Sequence, residues 1–159
     1  MNSLALPGRN FQIDYHACEK AIGREKPSLV VVGASIIPFP FNLKRLTEAC
    51  DRVGARIGYD ASHVLGIIAG RRFQKPLAEG ADIVVASTHK TFFGPQGGLT
   101  LANDADIHKG VIDSLTWKTV DNAHWNRIAA TAYALLEIRE FGKEYADQVV
   151  RNAKPLVNS

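Results

Sequence analysis

The sequence predicts an α/β fold, a mainly parallel sheet flanked by helices, on three observations. Short runs rich in β-branched and other apolar residues recur at Leu29 to Val32, near 55–60 and at 82–86. Stretches of helical periodicity separate them. Glycine or proline marks most changes of pattern, as where Pro27 and Gly33 bound the first run. Strands that alternate with helices imply crossover connections and a parallel sheet, with helices expected on both of its faces.

Taken in order, Asp14 is placed to cap a helix that runs to about Arg24. Leu29 to Val32 follows as a strand. Asn42 starts a second helix with Leu43, Leu46, Ala49, Cys50 and Val53 on one face, and Gly54 stops it. The strands near 55–60 and 82–86 are joined by a short helix and the turn Lys75-Pro76. Leu99 to Ala102 forms a further strand. The C-terminal half is helical, one helix closing at Ile112 and another running from Trp125 to about Val157, with Gly142 as its interruption. Near-continuous apolar strands such as Val30-Val31-Val32 expect neighbours on each side, so four strands alone would leave a hydrophobic edge.

At 159 residues the chain is long enough for one compact domain with a sizeable core. A formal charge of +3 is scattered over pairs such as Arg24 and Lys26, Lys44 and Arg45, and Arg71 and Arg72, with acids between them. Without aromatic interleaving this argues against nucleic-acid binding. Cys18 and Cys50 share no metal-ligand spacing and read as reduced packing residues of a cytoplasmic protein. No stretch is apolar enough to span a membrane, and Met1 to Gly8 lacks the features of a secretory leader. His16, His108 and His124 are read as structural or exposed.

The chemistry concentrates in two runs. In Ser87-Thr88-His89-Lys90-Thr91-Phe92-Phe93-Gly94-Pro95-Gln96-Gly97-Gly98, a lysine flanked by hydroxyls and a histidine follows a strand and precedes a glycine-rich turn. A buried amine in such a place forms a Schiff base, because burial disfavours its ammonium. In Arg56-Ile57-Gly58-Tyr59-Asp60-Ala61-Ser62-His63, a second strand ends in an acid, with a histidine three residues on. Ligands bind at the carboxyl ends of parallel strands, where Asp60 and Lys90 would meet. Pyridoxal phosphate needs this pair, a lysine for its aldehyde and a carboxylate for its ring nitrogen. The plainer alternatives are a solvated lysine, an aspartate capping the next helix and a histidine packed beneath it.

Tyr59-Asp60-Ala61-Ser62-His63-Val64-Leu65-Gly66, followed by Ala81-Asp82-Ile83-Val84-Val85-Ala86-Ser87-Thr88-His89-Lys90-Thr91, closely resembles the serine hydroxymethyltransferase family. The resemblance extends upstream through Pro27 to Ser35 and downstream through Ile128 to Ala130 and Tyr145 to Lys154. It implies part of the large domain of a fold-type I pyridoxal-phosphate transferase, with residues 1–159 as its second half, lacking the N-terminal part and the C-terminal small domain. It also implies that the last strand runs antiparallel. The implied activity interconverts serine and glycine, with tetrahydrofolate as co-substrate, in a cytoplasmic homodimer.

By the same resemblance, Lys90 holds the cofactor, Asp60 pairs with its ring nitrogen, and His63 and Ser35 lie near its 3-oxygen. His89, Ser87 and Thr88 line the same pocket. Two departures bear on specificity. Gln96 stands where the family loop has arginine, and Leu115 to Asn126 contains no glycine pair, leaving Lys118 as a substitute phosphate contact. A related aldolase or transaldolase acting on a β-hydroxy amino acid, and a non-catalytic fragment that requires a partner, are the alternative readings.

Overall fold

The computed structural model describes residues 12–120 and 122–157, so Asp121 and the leader reading of Met1 to Gly8 lie outside the described residues. The elements run α1 (Tyr15–Glu25), β1 (Leu29–Val32), α2 (Leu43–Asp51), β2 (Arg56–Asp60), α3 (Leu65–Ala69), β3 (Ile83–Ser87), β4 (Gly98–Ala102), α4 (Ala105–Ser114) and α5 (Trp125–Val157), with a π-helical turn (Leu115–Thr119) after α4. The helix starts are set by side chains that take up unpaired backbone donors. Asp14 accepts from Ala17 N at 3.0 Å and Asn42 from Arg45 N at 3.2 Å, as the sequence predicts. Asp104 does the same for α4, accepting from both Asp106 N and Ile107 N.

The sheet order is β1-β2-β3-β4, with β1, β2 and β3 parallel and β4 antiparallel to β3. Successive side chains of a strand point to opposite faces. In register, Val30 and Val32 share one face with Ile57, Tyr59, Val84 and Ala86, and all six are buried. Ile22 of α1 and Leu43, Leu46 and Cys50 of α2 belong to the same core. Burial pushes the Cys50 thiol up to about 11, and that of Cys18 upward, which suits inert packing residues.

Cover on both faces does not hold for the described residues. Leu29, Val31 and Val85, on the opposite face, are 51%, 57% and 38% exposed. The reason lies in the strand order. A sheet that advances in one direction through right-handed crossovers places α2 and α3 on the same side. The exposed apolar residues therefore form a face as well as an edge. Sedimentation of the 159-residue chain is expected to show self-association, reduced by Val31→Lys, which charges this face without touching the core. A monomer before substitution would sink that expectation.

The C-terminal region corrects two boundaries. The helix α4 continues past Ile112 to Ser114, and α5 runs unbroken through Gly142. A mid-helix glycine costs about 1 kcal/mol relative to alanine, but Gly142 is buried against α3. A Cβ on Gly70 would collide with the Gly142 carbonyl and the Ala146 methyl. The close approach is thus set by Gly70, where a side chain would hold α5 away, whereas a Cβ on Gly142 itself would meet only Ile138 of its own helix at 3.4 Å or more.

Candidate active site

Because β2 and β3 are parallel neighbours, their carboxyl ends open on the same edge of the sheet. Asp60 is the last residue of β2, and Lys90 lies three residues past Ser87, the last of β3. Tyr59 points into the core, so Asp60 points to the opposite face. Tyr59 donates its hydroxyl to Gln74 Oε1 at 3.1 Å, and burial pushes the phenol pKa up. Gln74 also pairs with both backbone groups of Phe41, which ties β2 to the loop before α2.

Asp60 is half-buried. Its Oδ1 accepts from Ser62 N at 2.8 Å, and Oδ2 has no hydrogen-bond partner among the described residues. It does not cap α3, whose N-cap position is taken by Val64 without a side-chain bond. Gly33, at the end of β1, lets the chain pass beside it, since a Cβ there would stand 2.6 Å from Asp60 Cβ. His63 is not packed under α3 either. Its Nε2 lies 2.9 Å from Lys90 Nζ, which brings the two candidate residues into direct contact.

The rest of the lysine loop is held by Thr88, which is 1% exposed. Its Oγ1 donates to Pro95 O at 2.6 Å, its N–H to Gly97 O at 3.1 Å, and its carbonyl accepts from Gly94 N at 2.7 Å. His89 Nδ1 accepts from Gly97 N at 3.3 Å, so this ring nitrogen carries no proton and Nε2 is the one available outside the loop. Ser87 is half-buried and pairs with Gly98. Ser35 is exposed in the loop after β1, with no hydrogen bond to Asp60, His63 or Lys90 among the described residues.

Lys90 departs from expectation in one respect: it is exposed. Its amine has His63 as its hydrogen-bond partner among the described residues, and it is not enclosed as a buried amine would be. Among the described residues no cluster of His, Cys, Asp or Glu could hold a metal, and no helix is long and apolar enough to cross a membrane.

Comparison with known proteins gives the family of the chain. The sequence model of the serine hydroxymethyltransferase family covers residues 5–159. The chain belongs to the serine hydroxymethyltransferase family. It is 49% identical over 148 residues to the serine hydroxymethyltransferase of Methanocaldococcus jannaschii, covering 92% of this chain and 34% of that protein. It is 44% identical over 156 residues to that of Korarchaeum cryptofilum, covering 98% of this chain and 36% of that protein. The chain therefore spans about a third of the length of the curated relatives it matches.

Within this serine hydroxymethyltransferase-family chain, Gln96 is exposed on the lysine loop and Lys118 on the π-helical turn. Three residues at the site escaped the sequence reading. Thr91 Oγ1 donates to His63 O at 3.0 Å and accepts from Gly66 N at 3.2 Å. Gly66 is needed there because a Cβ would overlap the Thr91 carbonyl. Tyr145, far away on α5, donates its hydroxyl to Thr91 O at 2.9 Å. The hydroxyl beside Lys90 was a visible signal for Thr91; nothing local marks Tyr145.

Proposed function

We propose that this chain is the second half of the large domain of a pyridoxal-phosphate-dependent serine hydroxymethyltransferase, which interconverts serine and glycine and passes the one-carbon unit to tetrahydrofolate. The observation that carries this reading is the juxtaposition of Asp60, His63 and Lys90 at the carboxyl ends of two adjacent parallel strands, with Lys90 Nζ 2.9 Å from His63 Nε2. The rest of the site would come from the other two thirds of the polypeptide and from a second subunit, in a cytoplasmic homodimer.

The residues present fit the cofactor. An exposed primary amine can reach an aldehyde, and Asp60 keeps Oδ2 available for a ring nitrogen while Ser62 fixes its other oxygen. When bound, pyridoxal phosphate supplies an electron-withdrawing ring that stabilises negative charge at the amino acid's α-carbon. Lys90 would hold the cofactor and give way to the substrate's amino group. Asp60 would keep a proton on the ring nitrogen, and its fixed negative charge there needs no rearrangement as the reaction proceeds. His63, whose Nε2 lies within hydrogen-bond distance of Lys90 Nζ, would restrain the amine before the cofactor arrives. Ser35, Ser87, Thr88 and His89 would line the pocket, with Lys118 near the phosphate.

Borohydride reduction of the full-length protein with pyridoxal phosphate, followed by peptide mapping, is expected to place the adduct on Lys90. An adduct on Lys75, Lys109 or Lys118 instead would sink the assignment.

A further inference from the structure

The residue after the candidate lysine is fixed from two sides. From one, Thr91 Oγ1 is tied to His63 O and Gly66 N, which belong to the turn after β2 and the start of α3. From the other, the Thr91 carbonyl accepts a hydrogen bond from Tyr145 Oη at 2.9 Å. The Tyr145 ring also stands edge-on to Phe93, with centroids 4.8 Å apart and planes at 77°. Tyr145 is half-buried, so its hydroxyl bonds a peptide group of the lysine loop in a place where water has limited access.

The helix that carries Tyr145 is itself anchored. Gly70, the C-cap of α3, seats against Gly142 and Ala146, and Arg72 just beyond it pairs with Asp147, so Tyr145 lies within a short stretch of α5 that is docked at the end of α3. Elsewhere α5 presents Ile128, Tyr133, Leu136 and Phe141 as exposed residues. The position of α5 thus reaches the lysine loop through one hydroxyl and one ring contact. The hydroxyl holds the peptide unit between Thr91 and Phe92, and because Thr91 Oγ1 is tied to His63 O, the backbone just after Lys90 is held at Thr91 from both sides.

We infer that Tyr145 is a positioning residue for Lys90: through the Thr91 carbonyl it sets the direction of the amine toward His63 and the cofactor. This rests on the reading of Lys90 as the cofactor-holding amine. Tyr145→Phe removes the hydroxyl and retains the ring against Phe93. Phe93→Leu does the reverse.

Both variants are made in the full-length protein, stripped of cofactor, and mixed with pyridoxal phosphate while the visible absorbance of the lysine adduct is followed across a pH series. Tyr145→Phe is expected to capture the cofactor about tenfold more slowly, with an altered pH profile and final occupancy retained, whereas Phe93→Leu lowers the melting temperature and stays within about twofold of wild type in capture rate. A wild-type rate and pH profile in Tyr145→Phe overturns the inference, whatever the melting temperature. Equal slowing by Phe93→Leu also overturns it, because packing alone would then account for the effect. If the wild-type protein forms no adduct on Lys90, the functional reading fails instead, and the two failures are told apart by that control.

Discussion

Asp60→Asn in the full-length protein is expected to keep its fold and its adduct on Lys90 while serine turnover falls by roughly three orders of magnitude, the scale of losing a strong preorganised electrostatic group. The local turn should survive, because the asparagine carbonyl can take the Ser62 N–H that Oδ1 accepts now. What is lost is the charge at Oδ2, replaced by a neutral amide that donates where a proton must be held. Asp60→Ala would lose the turn bond as well, lowering stability by a further 1 kcal/mol or so, about the net worth of one hydrogen bond. Steady-state kinetics alongside circular dichroism separates the two effects. Near-normal turnover in Asp60→Asn would reduce the residue to a turn former.

That prediction draws on features that were legible in the chain itself. Asp14 and Asn42 mark helix starts because capping is a local contact between residues three apart, and both caps form as expected. The strands were legible because β-branched runs bounded by glycine and proline have few other uses. Asp60 and Lys90 stood out for a related reason: in a parallel sheet, a polar residue that ends an apolar strand lies where ligands bind. The features that were not legible are tertiary. Gly142 signals a break when read locally, yet the helix runs through it, and the glycine that packing requires is Gly70, against the Gly142 carbonyl and the Ala146 methyl. The open sheet face around Val31 follows from strand order, which no single strand reveals. The exposure of Lys90 and the reach of Tyr145 to Thr91, 54 residues away, depend on how α3 and α5 dock.

Gly66→Ala tests that docking most severely. A Cβ at Gly66 would overlap the Thr91 carbonyl and come within 2.9 Å of Phe92 N, and these are backbone atoms that cannot swing aside as a side chain would. The variant must either push α3 away from the lysine loop or move the loop itself. Either movement strains the bond from Gly66 N to Thr91 Oγ1 and, through Thr91, the contact between Lys90 and His63. The expected loss of stability is about 3 kcal/mol, at the upper end for overpacking a close contact, and cofactor capture by Lys90 should weaken with it. Gly58→Ala is the matched control, since its added methyl would meet Ile83, Leu29 and Val31 side chains at 3.5 to 3.8 Å, ordinary van der Waals contact. That change should be neutral or stabilise by up to about 1 kcal/mol, because alanine has less freedom to lose on folding. Urea unfolding of both variants in the full-length protein decides the matter. A Gly66→Ala protein as stable as Gly58→Ala would mean that the lysine loop does not lie against α3, and the shared support of Lys90 and His63 would fall with it.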